Sequence, residues 1–210
     1  MLLYYITDRR SFLGAPAAQR DALVSCIAES ARAGVDYIQL REKDLDLDEL
    51  ELLAREALHV VRENSDTTKL LVNTHAEIAL AVGADGVHLP ANAPPASKIR
   101  GDWLRQCDRP PIIGVSAHFL DDVRTAQRQD ASFTVFAPVF EKVTAKLAGV
   151  GMDALREACA AAEIPVLALG GVNLSNAAAC LEAGAAGLAG IRLFQQQDVA
   201  TTVRSLRALG

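Results

Sequence analysis

Eight short apolar, β-prone runs recur along the chain, and each is followed by a segment with helical patterning. The runs are Leu2–Ile6, Tyr37–Leu40, Lys69–Val72, Gly86–Leu89, Pro111–Val115, Phe133–Phe136, Pro165–Leu169 and Gly187–Gly190. Between and after them lie helix-like stretches at 17–33, 45–62, 76–82, 99–106, 120–129, 152–162, 175–182 and 199–209. Strict β/α alternation predicts a parallel sheet, because parallel strands need crossover connections. Eight unbroken units predict a single closed (β/α)8 TIM barrel of the α/β class, over residues 1–210 as one domain. A doubly wound sheet would carry a glycine-rich first turn, and neither GxGxxG nor a Walker-type loop occurs. At 210 residues the chain is short for such a barrel, typically about 250 residues, so its connections must be tight. The exception is 137–150, which reads as a lid.

If the barrel closes, catalytic groups project from the C-terminal ends of its strands. The second run ends in Gln39, Arg41, Glu42 and Lys43. A guanidinium fork beside a compact ammonium suits a phosphate or diphosphate; a solvated charged turn is the competing reading. The same face would collect Asn73, His88, Ser116, the 138–146 loop, Gly170-Gly171 and Arg192. Gly170-Gly171 is either a phosphate cradle or a tight turn, since barrels often hold phosphate after strands seven and eight. Arg192 adds a cation there, or makes a surface ion pair. Asn73 and Ser116 either bond a ligand or cap the following helices. Lys142 and Lys146 either close over a leaving group or stay solvated.

Of the four histidines, His59 reads as structural and His75 as solvated. His118 lacks an evident acid partner, and His88, inside a strand, reads as a satisfied structural residue. Asp85 precedes the fourth strand, so it falls on the opposite face and ties down a turn. Asp8, Glu42, Asp44 and Glu141 are the carboxylates left near the mouth.

The net charge of −5 gives no general basic surface for nucleic acid. No apolar run reaches about 18 residues, so no membrane span is expected. No signal-peptide pattern is evident, and the four cysteines lack metal or redox spacing. Reduced thiols in a cytoplasmic protein are therefore expected.

Several short motifs then occur in one order: Tyr4-Tyr5-Ile6-Thr7-Asp8-Arg9, Gln39-Leu40-Arg41-Glu42-Lys43, Val72-Asn73, Ala81 through Leu89, Ile113-Gly114-Val115-Ser116, Pro138-Val139-Phe140, Ala168 through Val172 and Ala183 through Gly187. In that order, over nearly the whole chain, they resemble the thiamine phosphate synthase/TenI family. The resemblance implies a (β/α)8 barrel acting in thiamine biosynthesis. The synthase branch transfers a pyrimidine methyl group from its diphosphate to a thiazole phosphate with Mg2+, releasing diphosphate. By position, Gln39, Arg41, Lys43 and Asn73 would meet the diphosphate and Ser116 the reacting groups. Thr144 and Lys146 would belong to the lid, and Gly170 and Gly171 would hold the thiazole phosphate. Lys43, Ser116 and Lys146 are the implied catalytic residues, with Arg192 as a further binding cation. The partners implied are phosphorylated pyrimidine and thiazole substrates, and a homodimer is left open.

The chain departs from the family pattern where the metal should sit. Thr74 replaces an Asp, and Pro90-Ala91-Asn92-Ala93 replaces an acidic turn. Arg192 replaces a Ser, and Lys146 falls one place late. The two expected Mg2+ carboxylates are thus absent, leaving Glu42, Asp44 and Glu141 as substitutes. The TenI branch, a thiazole phosphate tautomerase, needs no diphosphate departure, but its lid His is Pro138 here. A TenI-like or accessory enzyme and a non-catalytic phosphate-binding regulator remain the alternatives.

Overall fold

A computed structural model describes residues 1–140 and 149–210. Eight parallel strands close into a barrel in sequence order, with the eighth paired to the first. They are β1 (Leu2–Ile6), β2 (Tyr37–Leu40), β3 (Lys69–Asn73), β4 (Gly86–Leu89), β5 (Ile112–Ala117), β6 (Phe133–Phe136), β7 (Val166–Ala168) and β8 (Gly187–Gly190). Around them run α1 (Pro16–Arg32), α2 (Leu47–Asn64), α3 (Ala76–Val82), α4 (Ala96–Leu104), α5 (Leu120–Arg128), α6 (Gly151–Ala161), α7 (Ala177–Glu182), α8 (Arg192–Gln195) and α9 (Val199–Arg207). The expected barrel is therefore the observed one. The sequence reading missed α8, a single turn directly after β8, because four residues are too few to show a helical period.

Local chemistry explains where the elements begin. Asp46 caps α2, accepting from the Glu49 N–H at 2.8 Å while the Glu49 carboxylate accepts from the Asp46 N–H. This reciprocal pairing satisfies two of the helix's free donors. The helix α5 starts similarly, with the Asp122 carboxylate accepting the N–H groups of His118 and Phe119.

The strands obey period two. Leu3, Tyr5, Ile38, Leu40, Leu70, Val72, Val166, Ala168 and Leu188 face the helices in the main apolar layer. Tyr4, Ile6, Leu71, Phe133, Val135, Leu167 and Ala189 fill the lumen instead. Within it, the Tyr37 and Phe133 rings stack 5.1 Å apart, and Tyr4 meets Phe133 edge-on at 5.4 Å. Such offset and T-shaped pairs suit the ring quadrupoles. The same parity carries Gln39, Asn73, His88 and Ser116 inward, through the pairs Ile6–Gln39, Asn73–His88 and Ser116–Val135.

At the N-terminal end, buried Asp85 accepts the Leu70 N–H at 2.8 Å and pairs with Arg62 and Arg109. Asp36 plays a matching part, accepting the Leu3 N–H and pairing with Arg207. Both acids hold strand starts on the face away from the candidate site, as expected for Asp85. All four cysteines are free. No described helix is long and apolar enough to cross a membrane.

Asp85→Ala strands a buried strand N–H and releases two guanidinium groups. Urea unfolding should show a loss of about 3 kcal/mol, from hydrogen bonds to a charged acceptor.

Candidate active site

A chain of polar side chains crosses the top of the lumen. The Gln39 Nε2–H donates to the Tyr4 hydroxyl at 2.8 Å. The hydroxyl lies 3.2 Å from His88 Nδ1, and His88 Nε2 lies 3.0 Å from Ser116 Oγ. Gln39, Tyr4 and His88 are buried, while Ser116 is half-buried at the mouth. Burial, with Arg41 nearby, pushes the His88 pKa down to about 3. Burial likewise pushes the Tyr4 phenol up. Both rings are therefore neutral near pH 7. Gly114 makes the arrangement possible: a Cβ there would lie 2.6 Å from the Phe133 ring and 2.8 Å from His88 Nδ1.

Two cavities open at the strand C-termini. The smaller, about 240 Å³, is lined by Glu42, Lys43, Asn73, Thr74 and His75, among others. The larger, about 600 Å³, lies over β7 and β8 and brings together Gly170, Gly171, Arg192, Asp8 and Ser11. Lys43 and Arg192 are exposed, and Arg41 is half-buried. Among the described residues, none of these three cations pairs with a carboxylate.

The Gly170-Gly171 pair has a structural reason that needs no ligand. Both residues have positive φ, +96° and +69°. A Cβ on Gly170 would lie 2.6 Å from Pro138 Cα, and one on Gly171 2.7 Å from Phe140 Cβ. Only glycine combines this backbone with so close an approach. The segment 138–140 is thereby held on the β7 exit, with the Val139 and Phe140 N–H groups donating to the Leu169 and Gly170 carbonyls.

Two of the three carboxylates offered as substitute metal ligands, Glu42 and Asp44, are otherwise engaged. Glu42 is buried and accepts from Thr7 Oγ1 at 2.6 Å, from the Arg9 N–H and from the Arg9 guanidinium. Asp44 takes both ends of the same guanidinium, at 2.8 and 3.0 Å. Burial raises the Glu42 pKa, partly offset by Thr7 and Arg9, whereas Arg9 lowers that of Asp44. Mg2+ wants open carboxylates, and Glu42 and Asp44 are locked onto Arg9. Among the described residues no group of three metal-ligating side chains forms. Neither Glu42 nor Asp44 is thus open to Mg2+.

Asn73 donates to the Thr74 hydroxyl at 2.9 Å and lines the smaller cavity. Ser116 makes no cap for α5, which Asp122 supplies, so that alternative is removed. Both nitrogens of His88 are bonded, in keeping with its structural reading, yet one partner is a candidate site residue. His118 Nδ1 lies 2.7 Å from the Ala137 carbonyl oxygen. Glu141, Lys142, Thr144 and Lys146 lie outside the described residues. Sequence reasoning passed over Tyr4 and Arg9. Tyr4 reads as core because it is aromatic in an apolar run, but its lumen parity with Gln39 was a usable signal.

Thr74 adopts φ +68°, a left-handed conformation costly for a β-branched residue. Thr74→Gly should raise the unfolding free energy by about 1 kcal/mol in denaturant melts. His88 stays neutral when folded down to about 3, while unfolded it gains a proton below its ordinary value of 6.5. Its contribution is present above 6.5 and is lost as pH falls toward 3. The slope approaches about 1.4 kcal/mol per pH unit for one proton. Stability measured between pH 6.5 and 5 should fall less steeply in His88→Gln than in the unsubstituted protein.

A family profile described as thiamine monophosphate synthase matches residues 3–194. The thiamine-phosphate synthase of Methanocella arvoryzae is 36% identical, over 99% of this chain and 93% of its own. That of Roseiflexus sp. is 32% identical, over 99% and 84%. Among solved structures, a thiamine phosphate pyrophosphorylase from Pyrococcus furiosus superposes with a TM-score of 0.80 at 28% identity, covering 99% of this chain and 94% of that one. A 3-hexulose-6-phosphate synthase, at 20% identity and a TM-score of 0.72, shares the fold. With the profile spanning nearly the whole chain and relatives of this identity over almost full length, the chain belongs to the thiamine phosphate synthase/TenI family.

Proposed function

We propose that this protein is a thiamine-phosphate-synthase-type transferase, with residues 1–210 acting as one catalytic unit. It joins a pyrimidine methyl diphosphate to a thiazole phosphate and releases diphosphate in thiamine biosynthesis. The observation that carries this reading is the pair of cation-bearing cavities on one barrel face. Lys43 lines one beside Asn73, and Arg192 lines the other beside Gly170-Gly171, while Arg41 and Ser116 lie at the β2 and β5 exits of the same face. Two phosphorylated substrates need two such sites.

The chemistry balances without a proton transfer. The methylene C–O bond breaks and its electron pair leaves with the diphosphate. The pyrimidine carries the resulting cation, and the thiazole nitrogen's lone pair forms the new C–N bond. The enzyme's task is then electrostatic and positional. In this reading Arg41 and Lys43 neutralise the departing group, Gln39 and Asn73 orient it, and Arg192 with Gly170-Gly171 holds the thiazole phosphate. A histidine held neutral to about pH 3 is no base, and the reaction asks for none. Mg2+, implied by the family, is given no step, because Glu42 and Asp44 are both held by Arg9. Thr144 and Lys146 keep their assignment to the lid. We assign the cytoplasm as the working compartment on the four free thiols.

The decisive assay supplies both substrates with and without Mg2+ and measures thiamine phosphate, with calorimetric titration of each substrate. Product formation is expected. Arg41→Ala should weaken pyrimidine diphosphate binding by about a hundredfold, the scale of lost charge-assisted bonds. Arg192→Ala should instead raise the KM for thiazole phosphate. Tight thiazole phosphate binding without any diphosphate binding would move the protein to a TenI-like or regulatory role.

A further inference from the structure

We propose that Gln39, Tyr4, His88 and Ser116 form a one-way hydrogen-bond relay that turns the Ser116 hydroxyl proton out of the lumen, making Ser116 a donor to an anionic oxygen of bound substrate. Tyr4 and His88 are then positioning residues that act through Ser116. The donor role toward substrate rests on the synthase reading, but the relay's direction does not.

A neutral imidazole has one N–H and one lone pair, so its two partners must play opposite roles. The Tyr4 hydroxyl accepts the Gln39 amide N–H, which leaves its own proton for His88 Nδ1. His88 must then carry its proton on Nε2 and donate to Ser116 Oγ. With that oxygen occupied as an acceptor on the lumen side, the serine proton points to the mouth. In the synthase reading an anion held by Arg41 and Lys43 would meet it on that side. Every member but Ser116 is buried, so water cannot replace a link cheaply. Reversing the Gln39 amide would reverse the whole chain. The proton would move to Nδ1, the serine would donate inward, and its lone pairs would face the anion. The orientation of one amide therefore sets the direction of the whole relay.

The long-range 1H–15N spectrum of the histidine-labelled full chain, without substrate, reads this directly. His88 is assigned by its loss in His88→Gln. The expected pattern is the neutral Nε2–H tautomer. A neutral Nδ1–H tautomer, or an imidazolium, overturns the proposal whether or not the protein makes thiamine phosphate. The functional arm is a double-mutant cycle. Tyr4→Phe and Ser116→Ala should each lower kcat by about tenfold, with smaller changes in KM, and the double variant should be no worse than Ser116→Ala. Ser116→Thr, which keeps the hydroxyl, should recover most of the loss. Multiplying losses in the double variant would show that Tyr4 acts by another route, and would overturn the relay. Absence of product from the unsubstituted protein would instead sink the synthase reading and leave the tautomer result standing.

Discussion

Closure of the barrel through the β1–β8 pair is the constraint on which the rest depends. Once eight parallel strands form a ring, each residue faces either the lumen or the helices, with no sheet edge left to choose otherwise. Leu3 and Tyr5 go to the helical layer, and Tyr4 goes inside. One residue's slip in register would send Gln39 and His88 into the apolar outer layer, where their polar groups would lack partners. Burial of the outer layer thus fixes the site's geometry indirectly. The acids Asp36 and Asp85, bonded to strand N–H groups at the opposite end, hold the same register from below.

The lumen divides by height. Its lower part is aromatic and aliphatic, with Tyr37, Phe133 and Leu71 packed together. Its upper part is the polar chain from Gln39 to Ser116. Tyr4 belongs to both, with its ring against Phe133 and its hydroxyl in the chain. An amphipathic residue at that height lets a dry core meet a polar mouth without an unsatisfied group. Gly114 contributes by omission, since any side chain there would displace the Phe133 ring or His88.

Charge at the mouth follows from an unequal division of partners. Arg9 takes both Glu42 and Asp44, the acids adjoining Lys43 in sequence. Arg41 and Lys43 are thereby spared the carboxylates next to them. The same contact ties the β1 exit to the β2 exit, helped by Thr7, which donates to Glu42 and accepts the Arg41 N–H. An acidic protein of net charge −5 can in this way keep a local cationic site.

The alternation of eight apolar runs determined the fold class, because parallel strands with short crossovers have few other solutions. The ordered motifs determined the family, and the residue types at 39–43, 170–171 and 192 suggested an anion-binding role. Tertiary structure decided what each residue does there. That Glu42 is an anchor depends on Arg9, 33 residues away and joined only by barrel pairing. That Gly170 and Gly171 make room for Pro138 and Phe140 depends on the neighbouring loop's path. That His88 links Tyr4 to Ser116 depends on three strands meeting in one lumen. Residue type and period are local properties, readable in order along the chain. Partnership between distant side chains exists only after closure, and so it could not be read before the barrel was built.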